Sequence, residues 1–394
     1  MKKILSTILL LLSAVVASAQ TIYICKDGNY TTCELSEYLE IHPAEADSIT
    51  FQEPQFGAPT VKIQFWYDHV DVNIPNWATN ITATVNGTDV IIDNTQTSGN
   101  ETTYIVSGDC GDGSLRINGS YKMTVCLEGL TLSSSKNAAI DIQCGKRTDL
   151  ILNKNFANIL STLPGSTGKA ALYCKGHMEI KGEGGSLTVK SSTNHGIATK
   201  EYLEVKDKCN IRIESASNDA IHVGQYFKMN AGEVWIDQAV MGDGIQVEAT
   251  TDPLDENNGQ MFIKDGRIVA TISNQDCKAM KADSDISITG GEIVLDANGN
   301  GSRGIQTDGN MLIDQAEGKL TTISISAAGD KCTLPECIDD PHKCTGIKVD
   351  GNLTINNGTV SVSNTGKKSK GIKVGGTYTK NGGTVSAVVE AANL

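Results

Sequence analysis

The chain has 394 residues, with 33 Lys and Arg against 46 Asp and Glu, for a formal net charge of −13. That acidity disfavours nucleic acid and anionic membranes as partners, because both need a cationic surface. It is compatible with metal cations, and it requires an anionic polysaccharide to bind through local Lys and Arg or through bridging cations.

Residues 1–19 read as a secretory signal peptide: Lys2 and Lys3, an apolar run from Ile4 to Val16, then the small residues Ala17, Ser18 and Ala19. The run is too short to span a bilayer. Tyr23 and Ile24 before Cys25 do not form a lipoprotein box. The expectation is an exported, soluble, monomeric protein with no membrane insertion. Export makes the eleven cysteines candidates for disulfides, with at least one thiol left over. The close pairs are Cys25/Cys33 and two among Cys332, Cys337 and Cys344. Those three with His342 also suit zinc, although a stapled loop explains the same residues.

Residues 20–56 form a small leading segment with strands expected around 22–26 and 48–52, and a stretch from Leu35 to Ile41 that suits helix or strand. Pro54 and the Gly57-Ala58-Pro59 stretch mark a boundary. Residues 57–112 carry further strand patterns, including 61–67, 70–74, 81–85 and 90–92, read as a β cap over the first repeat.

Residues 113–394 repeat about every 24 residues. The apolar anchors are Ile117, Ile140, Leu172, Ile197, Ile221, Ile245, Met280, Ile305, Ile347 and Ile372, and nine of the ten follow Gly or Ala. Alternating apolar pairs come six and eight residues later (Met178/Ile180, Leu203/Val205, Phe227/Met229), and a third pair follows (Leu187/Val189, Ile211/Ile213, Val234/Ile236). Each repeat is thus three short strands of period two between turns rich in Gly, Asn, Asp and Ser. A three-strand unit without a helix cannot bury its apolar face alone, and stacking closes the core. The predicted architecture is all-β: a right-handed parallel β-helix of about ten coils of three short strands. Over-long spacings predict loops near 153–163, 251–260 and 327–343.

Outward rows must then carry function. Three residues after the anchors stand Glu248, Asp283, Asp308 and Asp350 in successive coils. Stacked carboxylates repel unless neutralised, and calcium, a hard cation with oxygen ligands, does this. The alternative makes them turn residues balanced by Lys281, Lys348 and Arg303. Two residues before the anchors stand His195, Asp219, Asp243, Lys278 and Arg303. Asp219 and Asp243 are a second candidate carboxylate pair, or part of a solvated charge ladder. The stretch Asp296–Gly301 has oxygen side chains at the first, third and fifth places of a calcium loop, but Thr307 stands where Glu belongs. One residue after the anchors come Tyr173, His222, Gln246, Lys281, Gln306, Lys348 and Lys373. Trp235, between inward Val234 and Ile236, faces out and suits stacking on a sugar ring, as do Tyr173 and Phe262. No nucleophile elbow, zincin, phosphate-loop or dinucleotide motif occurs.

The stretch 137–147 (NAAIDIQCGKR), with 158–160, 170–172, 184–189 (GGSLTV), 195–197 (HGI) and 218–222 (NDAIH), resembles the bacterial secreted carbohydrate-binding domain-containing β-helix family over roughly residues 60–390. The resemblance implies cellulose or pectin-like ligands, bound calcium, and a fold similar to family 9 polysaccharide lyases. The leading segment, ending at Phe51, resembles the N-terminal module of Bacteroidetes surface and secreted proteins. The first functional expectation is a non-catalytic polysaccharide-binding protein with a calcium-stabilised face. Its glycan contacts would be Trp235, Tyr173, His222, Lys281 and Arg303, and its metal ligands Asp219, Asp243, Glu248, Asp283, Asp308 and Asp350. The alternatives are a calcium-dependent pectate-type lyase, with Lys278, Lys281 or Arg303 as base, and a cell-surface adhesin.

Overall fold

A computed structural model describes residues 21–26, 29–34, 48–50, 57–339 and 342–393. The expected leader 1–19 and the segment 35–41 lie outside the described residues. The chain divides into two units, one holding residues 1–59 and 74–79, the other 60–73 and 80–394.

In the first unit, strands Thr21–Lys26, Asn29–Glu34 and Ser48–Thr50 form an antiparallel sheet with Thr21–Lys26 in the centre. The strand at 29–34 is additional to the two expected. Its register sets Cys25 opposite Tyr30 and Cys33 opposite Ile22.

The second unit is all-β, one large and mostly parallel sheet of 34 strands. A single 3-10 turn at Pro335–Cys337 is the helical element among the described residues. From Met123 to Val349 each strand pairs in parallel with the strand three further along, which produces three ladders, and the last strands pair two apart because Lys370–Lys380 runs through two of the ladders. The anchor ladder includes Ile140–Gln143, Ala170–Cys174, His195–Thr199, Ile221–Gly224, Ile245–Glu248, Lys278–Ala282, Arg303–Thr307, Thr345–Val349 and the start of Lys370–Lys380. The second ladder includes Met178–Gly182, Leu203–Val205, Tyr226–Met229 and Gln260–Ile263. The third includes Ser186–Ser191, Asn210–Ala216, Glu233–Val240 and Arg267–Ile272.

The nine anchors from Ile140 to Ile372 lie opposite one another in an unbroken register. The first anchor is displaced: Ile140 pairs with Leu115, and Ile117 with Ile142. Both Leu115 and Ile117 point inward and are fully buried, and a slip of two residues keeps the same side chains inside. Parallel pairing also reaches back before residue 113. Strand Thr60–Phe65 pairs in parallel with Thr102–Cys110, and Asp89–Asn94 with Ser114–Gly119. Each also carries an antiparallel partner, Val70–Asn73 and Ile81–Asn86 respectively.

Inward positions form apolar rows with no exposure, such as Ile197, Ile221 and Ile245, or Leu187, Ile211 and Val234. Full burial of each such side chain stabilises by about 1.5–3 kcal/mol. Where glycine precedes an anchor it answers a close approach. A Cβ on Gly244 would stand 2.3 Å from the Ala279 carbonyl oxygen, and one on Gly346 2.2 Å from Val362 Cγ1.

The expected loop at 153–163 is largely strand. Ala157–Thr162 joins the third ladder between residues 131–134 and 186–191. Its signal was hidden by an inward polar residue, Asn158, which is 1% exposed. Asn158 Oδ1 accepts the N–H groups of Gly129 and Leu130 at 3.0 and 2.9 Å, and its Nδ2 donates to the Ser186 carbonyl. It thereby satisfies the bulge between Leu127 and Leu130, where Met123–Ser134 passes from the second ladder to the third.

The loop preceding Gln260 is tied by Asn258, which accepts from the Thr250 N–H and donates to the carbonyls of Thr250 and Asp252. In the last long loop Cys332 and Cys337 form a disulfide, and Cys344 is a buried free thiol.

Candidate functional site

The outward row one residue past the anchors runs in strict register through eight rungs: Tyr173, Ala198, His222, Gln246, Lys281, Gln306, Lys348 and Lys373. At about 4.8 Å per step the seven steps extend ~34 Å. A groove of about 740 Å³ lies at its Tyr173 end, lined by Lys169, Tyr173, His195, His222, Glu248 and Asp255 among others. Tyr173 is 8% exposed, with the Lys169 amine 5.1 Å from its ring centroid. Toward the other end a pocket of about 330 Å³ gathers Arg303, Lys343, Lys348, Lys370 and Lys373 around a single carboxylate, Asp350. Three of these five cations are paired, Arg303 with Asp276, Lys348 with Asp350 and Lys370 with Glu390.

Beside this row the corner residues interlock. Asp219 Oδ1 accepts the Asp243 N–H at 2.9 Å, and Asp243 Oδ1 accepts the Lys278 N–H at 2.7 Å. The other Asp219 oxygen faces two imidazoles. His222 Nδ1 is hydrogen-bonded to it at 2.9 Å. His195 Nδ1 lies 3.2 Å away but outside hydrogen-bond geometry, and it is buried without a partner among the described residues. The two rings stack at 4.3 Å, and His222 Nε2 is 3.6 Å from Glu248.

Burial alone raises the Asp219 carboxyl. The facing histidines and the Asp243 N–H outweigh it and hold the group well below the usual carboxylate range. Asp243 goes the other way: burial pushes it up to about 6, against the opposing pull of Lys278. His222 loses charge stability to burial but gains more from Asp219, so its pKa is raised.

The other candidates fall as follows. Arg303, 5% exposed, pairs with Asp276 at 2.9 Å. Lys278 lies 3.6 Å from the same carboxylate. Asp283 accepts the Ala249 N–H and is 3.8 Å from Lys281. Asp308 accepts from Gln306, and Lys348 contacts both oxygens of Asp350. Among the described residues, two sets of three side chains bring ligand atoms within 4.8 Å of one another: His195/Asp219/His222 and Asp276/Cys337/His342. Glu248, Asp283, Asp308 and Asp350 belong to neither, so these carboxylates alone do not enclose the six to eight oxygens calcium takes. The second set is no zinc site while the Cys337 sulfur is held in the disulfide. In the stretch 296–301, Asp296 is a strand residue paired with Thr271 and Ser326, and Asn300 accepts the Asp330 N–H.

Trp235 stands apart. It is on the third ladder, half-buried, with Arg267 4.8 Å over its ring and its Nε1 donating to Glu233. The second ladder holds three rings that sequence reasoning missed, His177, Tyr202 and Tyr226, beside the expected Phe262. His177 meets Tyr202 at a tilt at 4.5 Å, Tyr202 stacks on Tyr226 at 4.7 Å, and Phe262 meets Tyr226 edge-on. His177, Tyr202 and Tyr226 each immediately precede an inward residue of that ladder (Met178, Leu203, Phe227), and this recurrence was the available signal. Tyr226 donates to Glu204, and Lys181 and Lys206 bracket Glu179 at 2.9 Å.

These rungs define a parallel-ladder protein of the class that presents a long, regular outward face. A family model described as carbohydrate-binding domain-containing protein matches residues 87–391, and the chain belongs to that family. No curated protein matches the chain. A solved structure, described as the polysaccharide lyase-like protein from C. thermocellum in a gadolinium derivative, is similar with a TM-score of 0.54 and 22% identity. The match covers 66% of this chain and 98% of that one, and at that identity the likeness is one of fold. Among the described residues no helix is long and apolar enough to cross a membrane.

Proposed function

We propose that the second unit is a non-catalytic module that binds a polysaccharide strand along the anchor ladder, in the setting of an exported, monomeric protein whose rungs wind as a right-handed β-helix. The observation that carries this is the unbroken row from Tyr173 to Lys373. A linear polymer presents a repeating set of hydroxyl and charged groups, and a row with a polar or aromatic side chain on every rung but that of Ala198 meets it without a precise constellation. The cationic end favours a polymer bearing carboxylates or other anions. Calcium enters as a bridge completed by the glycan: exposed Glu248, with Asp252 and Asp255 on the same groove, supplies part of a shell that sugar oxygens fill.

The same corner supports a second reading as a lyase. Neighbouring carboxylates whose pKa values are pushed apart, as those of Asp219 and Asp243 are, suit acid–base work. Against it, two of the three candidate bases, Arg303 and Lys278, are turned to Asp276, and the third, Lys281, lies 3.8 Å from Asp283. Purified protein titrated with polygalacturonate and cellulose, with calcium and then with chelator, separates the readings when the same samples are followed for ultraviolet absorbance of unsaturated products. Calcium-dependent binding without product is expected. Product formation overturns the non-catalytic reading, and absence of binding to every glycan leaves an adhesin.

A further inference from the structure

From the convergence of two imidazoles on one carboxylate oxygen we infer that His195, Asp219 and His222 form a binding site for a divalent d-block cation of the zinc class, open to the groove at its fourth position. Three observations carry this.

The first is geometry. Both Nδ1 atoms approach the same oxygen, at 2.9 and 3.2 Å. Ligand atoms about 2.0–2.1 Å from a tetrahedral ion stand a little over 3 Å from one another, so small shifts admit the ion between them.

The second is the unmet valence of His195. Its Nδ1 is buried and has no hydrogen-bond partner, and such a group needs an explanation in a native structure. A cation supplies the partner that Asp219 does not.

The third is the support around the ligands. The Asp243 N–H holds Asp219 Oδ1 at 2.9 Å and so fixes Oδ2 toward the rings. Glu248 lies 3.6 Å from His222 Nε2, on the side away from the site. A carboxylate behind a ligating histidine is the arrangement that fixes tautomer and ring orientation. Two nitrogens and one oxygen suit zinc, cobalt or nickel and are a poor set for calcium. The proposal is independent of the glycan reading: it concerns metal alone and is tested without sugar.

The test uses the untagged, full exported chain after chelator treatment and dialysis. Zn²⁺ is titrated by calorimetry, with Ca²⁺ as comparison, and Co²⁺ is added as a spectroscopic probe. The expected result is one Zn²⁺ per chain, Ca²⁺ giving no heat at this site, and a Co²⁺ spectrum of a nitrogen and oxygen site without sulfur charge-transfer absorbance. His195→Ala and His222→Ala should each weaken Zn²⁺ by more than about 100-fold, beyond the 10–100-fold that loss of an outer partner causes. Thermal unfolding confirms that each variant folds. If either does not, the wild-type Co²⁺ spectrum decides. Absence of Zn²⁺ binding overturns the inference. So does binding that survives both substitutions, or a Co²⁺ spectrum dominated by thiolate, which would place the metal on a cysteine.

Discussion

The Asp243 N–H donates to Asp219 Oδ1 at 2.9 Å, so the side chain of one rung satisfies the backbone of the next. Asp219 is 5% exposed, and removing its acceptor leaves a buried donor unmet at a cost of about 1–3 kcal/mol. Asp219→Asn keeps an acceptor oxygen, whereas Asp219→Ala does not. Thermal unfolding in the presence of chelator should therefore place Asp219→Ala lowest and Asp219→Asn between it and the wild type, because Asn keeps the acceptor but loses the charge that faces His222. Equal losses in the two variants would mean that charge, not the corner hydrogen bond, is what matters.

Gly244→Ala introduces a Cβ 2.3 Å from the Ala279 carbonyl oxygen. The obstacle is backbone held in the parallel ladder, so it cannot rotate away, and overpacking of this kind costs about 1–3 kcal/mol or more. Urea denaturation should show the midpoint falling. An unchanged midpoint would show that the rungs can spread to admit a methyl group.

Asn158→Ala removes the acceptor for two N–H groups at the Leu127/Leu130 bulge. A loss on the order of 3 kcal/mol is expected, measurable by the same denaturation, and an unchanged midpoint would show that water takes the place of the side chain.

Glu179 sets a pH dependence. Burial raises its pKa, but hydrogen bonds and charge from Lys181 and Lys206 outweigh this and bring it from 4.5 down to about 2. The folded value lies below the unfolded one, so the stabilisation is full above about pH 4.5 and is lost as pH falls toward 2. Melting temperature followed from pH 6 to pH 3 should fall more steeply for the wild type than for Glu179→Gln. Parallel curves would assign the acid sensitivity elsewhere.

Legibility in the sequence followed the side-chain period. The nine anchors from Ile140 to Ile372 could be aligned because apolar residues of period two and a preceding Gly or Ala recur together. The first anchor slipped because Leu115 and Ile117 are equally apolar and equally inward. The strand at 157–162 looks like a loop in the sequence because its inward Asn158 breaks the apolar pattern for a hydrogen-bonding reason seen only in three dimensions. Tyr173, His222 and Lys281 were correctly set in one row, since register alone decides that. The meeting of His195 and His222 on Asp219 was not visible, because it joins two adjacent rows through side-chain rotamers. Trp235 was rightly expected to face outward, but period two does not say which ladder a binding row occupies.

The most direct test of the central claim compares dissociation constants for polygalacturonate and cellulose among the wild type, the combined variant Tyr173→Ala/Lys281→Ala/Lys348→Ala, and Trp235→Ala. All three are first checked for folding by circular dichroism. Binding along the anchor ladder predicts loss of glycan affinity in the combined variant and near wild-type affinity in Trp235→Ala. Retained affinity in the combined variant, with loss in Trp235→Ala, would contradict it and move the glycan to the third ladder.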